Sequence, residues 1–93
     1  MYLDVGVVTL LPGIQHLVNE DRIYEGHLDS ILRNHSAGRW GMITEEDALH
    51  NEACVMDGNG MVLSVYFVNG YEIWTVTVVE TKATAILLPE EFA

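Results

Sequence analysis

Apolar residues recur along this chain at several distinct spacings, and each spacing predicts a different element. From Leu3 to Leu10 a β-branched run is interrupted only by Asp4 and Gly6, which predicts a first strand. Pro12 then stops the extended chain. It is acceptable in a first helical turn, where Ile14, Leu17 and Val18 give a short helix that Asn19 can end. Tyr24, His27, Leu28, Ile31, Leu32 and His35 follow at i, i+3, i+4, i+7, i+8 and i+11, the apolar stripe of a second helix. A third helix is expected from Glu45 to about Val55. Thr44 is placed to cap it, Asp47 stands at N3, and Ile43 can pack on Ala48 as a staple. Ala48, Leu49, Glu52, Ala53 and Met56 continue its spacing, and Glu45, Glu46 and Asp47 sit where the helix dipole favours negative charge.

The pattern then changes period. MVLSVYFV and YEIWTVTVV are two β-rich runs joined by Asn69-Gly70, a strong hairpin signal because a type I′ turn needs positive φ at both central positions. The register follows from the two-residue loop, with Val68 opposite Tyr71. One face of the ribbon then carries Met61, Leu63, Val65, Phe67, Trp74, Val76 and Val78, and is expected to be core. The other carries Val62, Ser64, Tyr66, Val68, Tyr71, Ile73, Thr75 and Thr77, and is expected to be a contact surface, with Tyr66, Tyr71, Ile73 and Thr75 forming a homodimer interface. A third strand, Ala83 to Leu88, completes an antiparallel meander that Pro89 ends. The expected fold is therefore α+β: an antiparallel sheet, built from the C-terminal meander plus the N-terminal strand, with about three helices on one face.

Composition narrows the function classes. A chain of 93 residues, 49% hydrophobic, has the length and apolar content of one packed domain spanning 1–93. Its fourteen acids against four bases (Arg22, Arg33, Arg39 and Lys82) give a net charge of −10. Such a chain cannot neutralise a phosphate backbone, so direct nucleic-acid binding is not expected. The acidity is first a solubility feature; as a functional face, the second reading, it would meet a basic protein surface. No apolar run has the length of a membrane span, and the start has no basic n-region before its short apolar segment. No membrane association and a cytoplasmic location are expected, in keeping with the lone Cys54.

Candidate chemistry is sparse. His16, His27, His35 and His50 show neither the H-x3-H nor the HExxH spacing, so no metal site is expected. His27 and His35 should border the core, and His50 can meet Glu46. Cys54, near a helix end, reads as a small buried apolar residue. Ser30, Ser36 and Ser64 lack a nucleophile-elbow context, no glycine loop can cradle a phosphate, and no carboxylate pair is placed at a cleft. Neither catalysis nor a cofactor is expected. Trp40, between Gly38 and Gly41, is either a loop plug or an exposed binding anchor; Arg39 beside it can stay solvated while the ring turns in, which favours the plug.

At this loop the chain resembles a family of small uncharacterised proteins carried on plasmids, phages, integrative elements and gene cassettes, which often bear the name of a type I restriction subunit. Family members combine R-H-x-S-G-D-W-G, an E-D-x-x-x-N-E helix, L-L-S-x-Y, and a closing T-T-V-L-L-P-E-E-Y. The similarity runs over nearly the whole chain, through Pro12 and Gly13, His35, Gly38, Trp40 and Gly41, Glu46, Asp47, Asn51 and Glu52, Leu63, Ser64 and Tyr66, Trp74, and Thr84 with Leu87 to Phe92. Arg39 replaces the acid expected before the tryptophan, and Glu80-Thr81-Lys82 replaces an A-D-R turn, so roles resting on those charges do not carry over. The resemblance implies a setting, mobile DNA, rather than an activity. The restriction name does not transfer, because a methyltransferase needs a far larger cofactor-binding domain.

The expected function is a noncatalytic accessory protein of a mobile element, acting through protein contact as a homodimer. Its sharpest form is an acidic inhibitor of a host DNA-binding or defence protein. The alternative is a small-ligand-binding protein with His35, Trp40, Asn51 and Tyr66 around a pocket.

Overall fold

Asn69 and Gly70 both take positive φ, 51° and 85°, so the tight turn forms and Val68 pairs with Tyr71. This is seen in a computed structural model that describes residues 2–92. The hairpin joins two strands, Met61–Val68 and Tyr71–Val78, and a further strand, Ala83–Leu87, pairs antiparallel with the second of them. The N-terminal strand is Val7–Leu10. Numbered β1 (Val7–Leu10), β2 (Met61–Val68), β3 (Tyr71–Val78) and β4 (Ala83–Leu87), the strands lie in the order β1-β4-β3-β2. The fold is α+β as expected, but the sheet is mixed: β1 runs parallel to β4, with Val7 opposite Ala83. A strand that leaves the sheet into helices and is met again only by the last strand of the chain is free to pair in either sense. It also starts later than its apolar run. Gly6, at φ 57°, breaks the extension, and Leu3 turns away to donate its N–H to Ser36 O at 2.8 Å.

The helices are α1 (Pro12–Asn19), α2 (Glu25–Ser36) and α3 (Glu45–Asp57), and Pro89–Glu91 adds a 3-10 turn. The Thr44 hydroxyl caps α3 by accepting from the Asp47 N–H at 3.0 Å, and Gly58 closes it in the left-handed conformation. At the start of α2, His27 Nδ1 accepts from the Tyr24 N–H, so an imidazole serves as the cap acceptor.

Helices α1 and α2 cover the sheet face opposite to the one expected. Ile14, Leu17, Ile23, Leu28, Ile31, Ile73 and Ile86 form the main core, with the half-buried Tyr66, Val68 and Tyr71 packed against it. Each buried isoleucine contributes roughly 1.5 to 3 kcal/mol. The Val62, Ser64, Ile73, Thr75 and Thr77 side of the ribbon is therefore inside, all of it below 1% exposed. On the other side Phe67 is 58% and Met61 45% exposed. The expected homodimer surface is corrected accordingly: Ile73 and Thr75 are fully buried within the chain, and Tyr66 and Tyr71 hydrogen-bond to its own residues. A pattern count treats serine and threonine as outward residues, but here a buried histidine accommodates Ser64 and Thr77.

A second, smaller core of Leu3, Trp40, Cys54 and Val62 joins α3 to the β2 edge, with Ile43, Ala48, Val55 and Val79 around it. The inward side of α3 is Ala48, Asn51, Cys54 and Val55, so the Leu49, Glu52, Ala53, Met56 stripe points to solvent. Among the described residues no helix is long and apolar enough to cross a membrane.

Candidate functional site

His35 closes the last turn of α2 and is fully buried. Its Nδ1 meets Ser64 Oγ on β2, and its Nε2 lies 2.8 Å from Thr77 Oγ1 on β3. Thr77 Oγ1 is in turn 2.6 Å from Thr84 Oγ1 on β4, and the Thr84 hydroxyl donates to the Val5 carbonyl at 2.6 Å. That carbonyl can only accept, which orders every proton in the chain. Thr84 donates to Val5, Thr77 to Thr84, His35 Nε2–H to Thr77, and Ser64 to His35 Nδ1. The imidazole is thus a neutral, fully partnered crosslink through three strands, and burial pushes its pKa down to about 4. A serine on an imidazole is also how a nucleophile and its base are arranged. Here Ser64 Oγ lies under α2 at 0% exposure, where no substrate can approach it.

The other three residues expected around a pocket hold the loop after α2, and α3, onto β2. Asn51 presents its side-chain amide to Leu63 as a strand would present its backbone, accepting from Leu63 N–H at 3.0 Å and donating to Leu63 O at 2.8 Å. Next along the same edge, Val65 N–H donates to Trp40 O at 3.0 Å and Met42 N–H donates to Val65 O at 2.8 Å. Gly41 and Val65 form a parallel bridge there. The Tyr66 hydroxyl donates to Arg39 O at 2.6 Å, and burial raises its pKa. Trp40 is the plug, 7% exposed, with Nε1 lacking a partner among the described residues. An edge strand is usually a pairing hazard, and this one is closed by a loop and one amide. His35, Trp40, Asn51 and Tyr66 do come together around β2, but each is engaged in holding the fold.

Tyr66 also borders a shallow groove of about 200 Å³ with His27, Asn34 and Phe67. Two larger surfaces are open among the described residues. One is the outward ridge of α3, where Leu49 is 60% and Met56 84% exposed, flanked by exposed Glu45, Glu46 and Glu52. No lysine or arginine occurs between Trp40 and Thr81, so this side is uniformly acidic. His50 contacts Cys54 Sγ at 3.4 Å rather than the expected Glu46, and Cys54 is buried. The other is the helix-free sheet face, with an apolar groove of about 320 Å³ lined by Thr9, Val76, Val78, Ala85, Leu87 and Phe92. Of these residues the hydropathy pattern placed Val76 and Val78 inside; no signal short of the His35 network reverses that. Among the described residues, no group of three or more His, Cys, Asp or Glu side chains could hold a metal ion.

No protein-family model, curated protein or solved structure matches this chain. Several of the residues that carry the sequence resemblance have structural tasks. His35 binds Ser64, Asn51 binds Leu63, Tyr66 binds the Arg39 carbonyl, Gly41 approaches Val65, and Glu91 accepts from the Gly13 and Leu88 N–H groups. Glu46, Glu52 and Glu90 of the same motifs stand exposed.

Proposed function

We propose that the chain is a noncatalytic accessory protein, of the mobile-element kind its sequence resembles, that acts in the cytoplasm by contacting a basic host protein. The observation that carries this reading is the α3 ridge. Leu49 and Met56 lie two turns apart on the outermost line of the helix, with Glu45 and Glu52 on the same face and Glu46 beside them. Apolar anchors at i and i+7 are how an amphipathic helix enters a partner's groove. The surrounding carboxylates supply steering and partner choice toward lysine- and arginine-rich surfaces, of the kind DNA-binding proteins present. The imidazole and hydroxyl groups that could do chemistry are instead inside the fold, which is why contact is favoured over catalysis.

The test is capture from host lysate on the immobilised chain, with identification of what is retained. A basic protein retained at low salt, released as salt rises, and lost to a Leu49→Arg, Met56→Arg variant is the expected result. Capture of nothing, or of proteins indifferent to both salt and the α3 substitutions, would sink the reading.

A further inference from the structure

We infer that the helix-free face of the sheet is where a second copy of this chain packs, face to face about a two-fold axis. The outward residues of the four strands are Val7 and Thr9 on β1, Ala83, Ala85 and Leu87 on β4, Trp74, Val76 and Val78 on β3, and Met61 to Phe67 in alternation on β2. An antiparallel sheet with one side in water normally alternates apolar with polar residues. This side does not. Its one charged strand residue is Glu72, whose carboxylate accepts from Trp74 Nε1 at 2.8 Å.

Three properties favour a second copy over other occupants. The first is shape. The patch carries both a projection and a recess: Phe92, stacked on Trp74 with ring centroids 5.6 Å apart, stands 46% exposed beside a groove floored by Ala83, Ala85 and Val76. A two-fold contact needs one surface that complements itself, and this one offers a ridge of aromatics and a trough of small residues. The second is area. The 25 residues of the four strands, each spanning ~4.8 by ~3.3 Å, give a flat face of about 400 Å², to which the projecting Met61, Phe67 and Phe92 add. That lies below the ~800 Å² per partner of a stable interface and suits a dimer that comes apart on dilution. The third is charge. A chain of net charge −10 repels its own kind, but the exposed acids of α2 and α3 lie on the helical side and the β2 edge. Packing sheet to sheet at the usual ~10 Å separation turns those acids away from the interface. For a strongly charged foreign partner the strands of this face offer only Glu72, whose carboxylate is already engaged by Trp74 Nε1.

The inference is independent of the α3 contact, and either can fail alone. Sedimentation equilibrium of the full chain should give a species of twice 10.4 kDa, dissociating on dilution. As the dimer forms, iodide quenching of tryptophan should fall, because Trp74 is half-buried in the monomer while Trp40 is already covered. Ala85→Arg places an unpaired charge at the centre and should weaken association by roughly a hundredfold or more, with an unchanged far-ultraviolet spectrum. Phe92→Ser, at the chain's C-terminal end where the core is not touched, should weaken it as well and serves should Ala85→Arg fail to fold. A chain that stays at 10.4 kDa to millimolar concentration overturns the inference. So does a dimer indifferent to both substitutions and broken by Leu49→Arg, or a monomer whose groove takes up a fluorescent apolar dye that Ala85→Arg excludes.

Discussion

The Nε2 of His35 and the Oγ1 of Thr77 lie 2.8 Å apart with both residues at 0% exposure, so the last turn of α2 is bonded to the middle of the sheet through a neutral imidazole. Burial lowers the His35 pKa to about 4, against about 6.5 unfolded. The unfolded chain therefore binds the extra proton first. The stability due to a neutral His35 is complete above pH 6.5 and is lost as pH falls from there toward 4. Roughly 2 kcal/mol should disappear between pH 6.5 and 5. Urea unfolding at a series of pH values checks this, and His35→Gln should flatten the slope in that window while lowering stability at pH 7. A wild-type profile that is level from 6.5 to 5 would contradict the assigned tautomer and burial.

The amide of Asn51 closes the β2 edge by holding both backbone groups of Leu63. Asn51→Leu should cost roughly 2 to 4 kcal/mol, since two backbone groups beside a 1% exposed side chain lose their partner. Asn51→Asp distinguishes hydrogen bonding from mere volume. Its carboxylate can still accept from the Leu63 N–H but cannot donate to the Leu63 carbonyl, so it should be destabilised at neutral pH and recover relative to wild type in acid. Chemical denaturation of the two variants at pH 7 and pH 4.5 gives the comparison.

How far the sequence discloses this protein depends on which physical signal a residue carries. Asn69-Gly70, the Thr44 cap and the Leu28, Ile31, Leu32 part of the α2 stripe are local signals, set by φ preferences and by side chains reaching their own backbone, and these form as read, whereas Tyr24 precedes the helix and is exposed. The inside of the ribbon is a tertiary matter. Ser64, Thr75 and Thr77 look like solvent-facing residues until His35, brought over them by α2, supplies partners for two of the three. The parallel pairing of β1 is equally invisible, because no turn chemistry links it to β4. For the site, the cluster of His35, Trp40, Asn51 and Tyr66 is legible as a group, whereas its task of latching the loop to β2 requires knowing that Asn51 faces Leu63.

Gly41 and Gly58 share nearly the same positive φ, 72° and 73°, in different surroundings. A Cβ on Gly58 meets nothing within 4 Å, whereas one on Gly41 would lie 2.0 Å from the Val65 carbonyl oxygen. Gly58→Ala should therefore cost only the left-handed penalty of about 1 kcal/mol. Gly41→Ala adds a clash with a backbone atom fixed by the bridge, and should cost roughly 3 kcal/mol or more. Thermal unfolding of the pair isolates the steric part, and equal losses would mean that the loop does not bear on β2.

Thr75 is the hydroxyl that the His35 network leaves out. Its Oγ1 is buried with no hydrogen-bond partner among the described residues, between neighbours Ser64 and Ile86 on the adjoining strands. Bringing a hydroxyl out of water with nothing to bond costs about 1 to 3 kcal/mol. Valine has nearly the same shape and the same β-branched preference for a strand, so Thr75→Val removes the penalty without opening a cavity. The variant should gain about 1 kcal/mol, raising Tm by roughly 4 to 8 °C for a chain of this size. Thr75→Ser is the control: it keeps the unpartnered oxygen and loses a packed methyl, so it should fall below wild type by about 1 kcal/mol. If Val instead proves less stable than Thr while Ser is tolerated, the hydroxyl bonds to something in solution, and the inner face of the sheet is wetter than its isoleucine core implies.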